Sequence, residues 1–113
     1  MPFIRTTTNQ KVTQEQKDRI KVGFGEAISL LGKSENWLMV SFDEEKTMYF
    51  QGDGDAPMAF VEIQLFGKAQ DSAYDNMTQA VTDLVAEQLS IRPDHIYVKY
   101  EEVSHWGWNG NNF

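Results

Sequence analysis

Apolar residues recur along this chain in two periods, and the order of those periods repeats once. After a strand-like start at Pro2-Phe3-Ile4, Val12-Thr13-Gln14-Glu15-Gln16 opens a segment with apolar positions at Ile20, Phe24, Ala27, Ile28 and Leu31. That spacing lies along one face of a helix. Thr13 and Gln16 make a capping-box pattern at its start, and Gly32 is placed to end it. Gly23 and Gly25 inside it weaken the helix by ~1 kcal/mol each relative to alanine. Trp37-Leu38-Met39-Val40-Ser41-Phe42 follows as a strand-like run. The second half does the same: a strand over Met58–Phe66, a helix capped by Asp71 or Ser72 with apolar Met77, Ala80, Val81, Leu84, Val85 and Leu89, and a strand over His95–Tyr100.

The halves align at an offset of 58, which sets "LGKSENWLMV" from Leu31 against "LSIRPDHIYV" from Leu89. The repeat covers approximately residues 2–43 and 58–101. Two strand–helix–strand units of this size predict one sheet with both helices on one face. The second face of such a sheet is bare. With Phe3, Met39, Ile63, Leu65 and Tyr97 among its alternating residues, it is expected to be apolar and to be covered by another copy of the chain. Between the units, Thr47–Phe50 reads as a short strand followed by the turn-rich Gln51–Pro57. The tail Trp106–Phe113 holds an Asn-Gly turn signal and too many aromatics for a frayed end, so it is expected to pack.

A length of 113 residues fits one domain, residues 1–113, and 41% apolar content supplies one core. The net charge of −7 argues against nucleic acid and acidic membrane surfaces as partners. The absence of cysteine excludes disulfides, thiol nucleophiles and Cys-ligated zinc. No run approaches the ~18 apolar residues of a spanning helix, and the start has no apolar signal region. The expected setting is cytoplasmic.

Chemistry is sparse. A proline at a strand start is ordinarily structural, because its missing N–H costs little there. Pro2, however, follows the initiator methionine, which is trimmed when the next side chain is small. A trimmed chain begins with a secondary amine. Free α-amines titrate near ~8, and apolar surroundings or a nearby cation disfavour the charged form. Such an amine is a general base near neutral pH. Lys33, between the first helix and the second strand, is the candidate cation, although a loop lysine is usually just solvated. His95 and His105 have no partners at metal spacing, and no metal is expected. Asp53-Gly54-Asp55 lacks the remaining ligands of a calcium loop. Gly23-Phe24-Gly25 follows no strand and is no dinucleotide fingerprint. Glu101-Glu102 reads as a solvated strand end.

Together, "MPFI", Gly32-Lys33, Phe66-Gly67-Lys68, "RPDHIYVKY" from Arg92 and "WGWNGNNF" at the end resemble the macrophage migration inhibitory factor family of the tautomerase superfamily. The resemblance runs from end to end. It implies an α+β, two-layer fold: two βαβ repeats form a mixed four-stranded sheet, and three copies form a homotrimer with active sites between subunits. It also implies keto–enol tautomerisation of phenylpyruvate-like or dopachrome-like carboxylates without a cofactor. By that resemblance Pro2 is the base, and Lys33 holds the substrate carboxylate or enolate charge. Phe66 bounds the pocket with its backbone and ring, where the family often has isoleucine. Tyr97 closes the pocket from the adjacent subunit, and Phe3, Trp106 and Phe113 supply apolar walls. Lys99 stands where a familiar member has asparagine, and its extra charge either favours a dianionic substrate or points away. That member's Cys-x-x-Cys motif is absent, since the segment reads Pro57–Val61, so thiol redox activity is not carried over. The family equally supports a receptor-binding, cytokine-like protein, secreted without a signal peptide, whose tautomerase pocket is vestigial. A structural trimer without turnover is the third reading.

Overall fold

The strand that starts at Pro2 runs to Thr8 (β1) and alternates buried with half-buried positions along its length. The computed structural model describes all 113 residues. Helix α1 follows over Gln14–Ala27 and passes through a tighter turn at Ile28–Leu31 into β2, Met39–Asp43. The second unit is β3 (Ala59–Phe66), α2 (Asp71–Leu89) and β4 (Ile96–Val103). Gly107–Trp108 (β5) and Asn111–Asn112 (β6) form a small separate hairpin. The main sheet has the order β2-β1-β3-β4. Strands β1 and β2 run parallel, as do β3 and β4, while β1 and β3 pair antiparallel. Each parallel pair needs a crossover, and each helix provides one. The expected mixed four-stranded sheet with two helices is therefore present.

One core joins the two units. Ile4, Val61, Ile63 and Leu65 from the sheet are fully buried against Ile20 and Phe24 of α1 and Met77, Val81 and Val85 of α2. Both halves of the predicted capping box are made: Gln16 N–H donates to Thr13 Oγ1 at 3.1 Å, and Thr13 N–H donates to Gln16 Oε1 at 2.8 Å. The helix start is held further by Glu44, which accepts from Val12 N–H at 2.5 Å and from Lys17 Nζ at 2.8 Å. The two helical glycines mark close approaches rather than weak points. A Cβ on Gly23 would lie 2.4 Å from Leu84 Cδ2 of α2, and Gly25 packs under the Glu35 side chain.

Several expectations are corrected. The cap of α2 is Gln70, with no side-chain hydrogen bond, and Asp71 is already in the first turn. Thr47–Phe50 is no strand: it finds no partner strand within the chain, and only an isolated bridge joins Phe50 to Asp53. Glu35–Trp37 and Pro93–His95 are short 3₁₀ turns, so β2 and β4 begin later than the apolar runs suggest. Ile63 and Leu65 face the helices, so they do not belong to the open face. That face is mostly polar. The cross-strand row Arg5, Glu62, Lys99 runs through its middle, with Arg5 Nε donating to Glu62 Oε2 at 3.0 Å and Lys99 Nζ donating to Glu101 Oε1 at 3.0 Å.

Candidate active site

The first strand carries its N-terminal end into a corner made by β3 and the turn after α1. Pro2 pairs with Leu65 and is buried. The Phe66 N–H donates to the Met1 carbonyl at 3.0 Å. Gly32 adopts a left-handed conformation with φ 71° and ends the helical segment, its N–H and that of Lys33 returning to the carbonyls of Ser29 and Ile28. The reversal sends the Lys33 side chain to the end of β3, where Nζ donates to the Phe66 carbonyl at 2.8 Å. Two successive peptide units meet at Phe66: its N–H holds the N-terminal residue and its C=O holds the lysine. The terminal amine, carried by Met1 here, is held below its ordinary value of 8.0, first by burial and second by the Lys33 charge.

A cleft of about 580 Å³ opens at this corner. Met1, Pro2 and Phe3 form its floor, and Asn36 through Met39 form one wall. Trp106, Gly107 and Trp108 form the other wall, and Gln64 supplies a further polar group. The aromatic wall is fixed by the tail hairpin. Asn109 and Gly110 both have positive φ, 53° and 82°, as the predicted Asn-Gly turn requires. Trp108 meets Trp37 edge to face at 4.8 Å, and Phe113 stacks on Trp108 at 6.4 Å and leans on Phe66 at 5.8 Å. The expected packing of the tail is seen within its own chain.

Of the sequence-predicted residues, Pro2, Phe3 and Trp106 line this cleft. Lys33 and Phe66 meet behind it through the lysine–carbonyl contact, and Phe113 reaches it only through its ring contacts. Tyr97 and Lys99 are elsewhere in the same chain. Tyr97 pairs with Phe60, four positions along β3 from the Gln64 that faces Phe3, a separation of about 13 Å at ~3.3 Å per residue. Lys99 lies on the open face, and its hydrogen bond to Glu101 raises its pKa above the ordinary lysine value. Sequence reasoning missed Trp37, Trp108, Asn36 and Gln64 as lining residues. Trp37 closely follows Lys33 in the chain, but its place in the wall, 45% exposed despite its size, is set by the fold. No cluster of three His or acidic side chains is placed to hold a metal ion.

The arrangement joins a chain terminus next to the buried Pro2, a lysine anchored on a backbone carbonyl, a backbone donor and aromatic walls. Such a set supports proton transfer on an anionic aromatic compound. Comparison with known proteins points to a family with the same fold. The chain matches the family described as Macrophage migration inhibitory factor (MIF) over residues 1–113. It is 30% identical over 84 residues to macrophage migration inhibitory factor of Meriones unguiculatus, covering 73% of this chain and 72% of that protein. Among solved structures it resembles Leishmania major MIF2, with a TM-score of 0.94, 30% identity, and coverage of 100% of this chain and 97% of that one. The homologue from Prochlorococcus marinus gives a TM-score of 0.89 at 26% identity, covering 98% of each chain. The chain belongs to the macrophage migration inhibitory factor family.

Proposed function

We propose that this chain is a cofactor-independent keto–enol tautomerase acting on phenylpyruvate-like or dopachrome-like carboxylates, with Pro2 as general base once Met1 is removed. The observation that carries the reading is the environment of the chain terminus: a partly buried amine on Met1 held below its ordinary value by that burial and by Lys33, next to the buried Pro2 and opening onto an aromatic cleft. Loss of Met1 has two consequences. It exposes the ring nitrogen of Pro2, and it removes the acceptor of the Phe66 N–H. The base and an empty backbone donor then face the same space. In the ketonising direction, the neutral Pro2 nitrogen takes the enol O–H proton and, now protonated, delivers it to the adjacent carbon as the C=O forms. In the enolising direction, Pro2 takes the proton from carbon while negative charge develops on oxygen, and then returns it to that oxygen to give the enol. Lys33 and the Phe66 N–H oppose that charge or the carboxylate. The substrate ring lies among Phe3, Trp106 and the tryptophans at positions 37 and 108. As a part of the same proposal, the chain acts as a homotrimer, Tyr97 of a neighbouring copy closes the cleft, and Phe113 with Phe66 backs its rim.

Phenylpyruvate turnover by protein whose intact mass confirms loss of Met1 tests the reading. Pro2→Gly should reduce enol–keto conversion by ~100-fold or more, the usual weight of a general base, while the folded assembly persists. Full turnover by the glycine variant overturns it. The second reading, a secreted factor that binds a receptor, rests on the name carried by the rodent relatives. Receptor binding that survives Pro2→Gly in a chain without turnover favours it.

A further inference from the structure

Lys33 influences the amine because something holds its flexible stem in place. No carboxylate does so: the contact made by Nζ is the Phe66 carbonyl. That carbonyl is aimed by the residue after it. Gly67 ends β3 with φ at +84°, and its N–H donates to the Val103 carbonyl at 2.9 Å. A side chain at 67 is not excluded by crowding, since a Cβ there would have only Lys33 Nζ within 4 Å, at 3.9 Å. What excludes most residues is the backbone. A φ near +80° suits glycine, then asparagine, and is strained for other side chains.

We infer that Gly67 is a positioning residue, whose left-handed turn holds the Phe66 carbonyl where it anchors the Lys33 ammonium beside the chain terminus. The inference rests on the proposed function only in taking the terminal amine as the base. The Phe66 N–H that meets the N-terminal residue lies in the preceding peptide, between Leu65 and Phe66, so the glycine acts through the carbonyl alone. It fixes the distance from cation to amine through that carbonyl. A change at 67 therefore acts at the cleft without entering it.

Gly67→Ala and Gly67→Asn test this in the Met1-free protein, with Lys33→Ala as the reference. Three readouts are taken: the pH profile of kcat/KM for phenylpyruvate, the titration of the Pro2 nitrogen by NMR, and the Lys33 ammonium signal, which sharpens when its protons exchange slowly. Gly67→Ala is expected to shift the amine upward toward Lys33→Ala and to lose up to about ten-fold in rate below neutral pH, as loss of one neighbouring charge allows. The ammonium signal should broaden in step. Gly67→Asn should keep the wild-type amine and signal. The double variant Gly67→Ala, Lys33→Ala should leave the amine where Lys33→Ala alone puts it. A folded Gly67→Ala with a wild-type amine and ammonium overturns the inference. So does a wild-type Lys33 ammonium in fast exchange, which decides the matter even if the alanine variant fails to fold. A wild-type protein without turnover, whose Lys33 ammonium is nevertheless anchored, removes the proposed function and leaves the positioning role standing.

Discussion

At the residue scale the chemistry depends on keeping one amine neutral. For the terminal amine on Met1, burial is the larger cause of the lowered pKa and Lys33 the smaller, and the same two causes act on the Pro2 nitrogen once Met1 is gone. The sign follows from the charge: a depressed amine stays neutral below its ordinary value, so base activity persists there and fails only as pH falls through the lowered one. Removing Met1 places the Pro2 nitrogen one residue deeper, in a position that is itself buried. Lys33→Ala should therefore move the acid limb of kcat/KM to higher pH without restoring the value of a free amine, because burial remains. On the alkaline plateau it should still lose roughly ten- to a hundred-fold, the weight of one hydrogen bond to a charged partner at ~1.5–3 kcal/mol. A steady-state profile from acid to alkaline pH reads both effects. A variant that shifts neither limb nor plateau excludes Lys33 from the site.

At the scale of elements, Gly23 shows how local propensity yields to packing. Alanine there gains ~1 kcal/mol of helix propensity, but its methyl group meets Leu84 at 2.4 Å, and overpacking typically costs ~1–3 kcal/mol. Gly23→Ala should therefore destabilise the wild type yet stabilise a Leu84→Ala background by the propensity term. Urea unfolding of the four proteins at one protomer concentration measures this reversal; additive effects would refute the contact. The same contrast explains what was legible in the sequence. The capping box was readable because Thr13 and Gln16 are neighbours, and the Asn109-Gly110 turn because its φ requirement is local. The alternation in β3 was visible, but its phase was not. Only the pairings of Phe3 with Gln64 and of Phe60 with Tyr97 reveal that Ile63 and Leu65 turn inward. Thr47–Phe50 has a strand's composition and lacks a strand's partner. The site divides along the same line. Pro2 and Lys33 carry chemistry in their residue types, whereas Trp37, Trp108 and Gln64 become lining residues only through the hairpin and the sheet register. Gly67 was read as part of a motif, and its φ gives that motif a mechanical meaning.

For the whole molecule the question is what covers the open face of the sheet. Its ion pairs are half exposed in one chain, with side-chain exposure of 40% and 19% for Arg5 and Glu62 and of 51% and 46% for Lys99 and Glu101. In that setting each contributes only ~0–1 kcal/mol. Enclosed by the sheets of two further copies, the same charges lose water and must match their neighbours. The proposed trimer therefore predicts a sensitivity that a free chain lacks. Glu62→Arg would place a third cation between Arg5 and Lys99, in the row that β1, β3 and β4 share. Sedimentation should give three times the 13.0 kDa of one chain for the wild type and a single chain for the variant, with the far-ultraviolet signal retained because the core lies on the other face. Turnover should fall with assembly although Pro2 and Lys33 are untouched. Tyr97 lies too far along its own sheet to reach the cleft, so the proposed role for it depends on a neighbouring copy. Added salt should partly restore assembly of the variant, since screening weakens repulsion among the three cations. A wild-type chain that sediments singly and still turns over phenylpyruvate would dismiss the composite site, and with it any role for Tyr97.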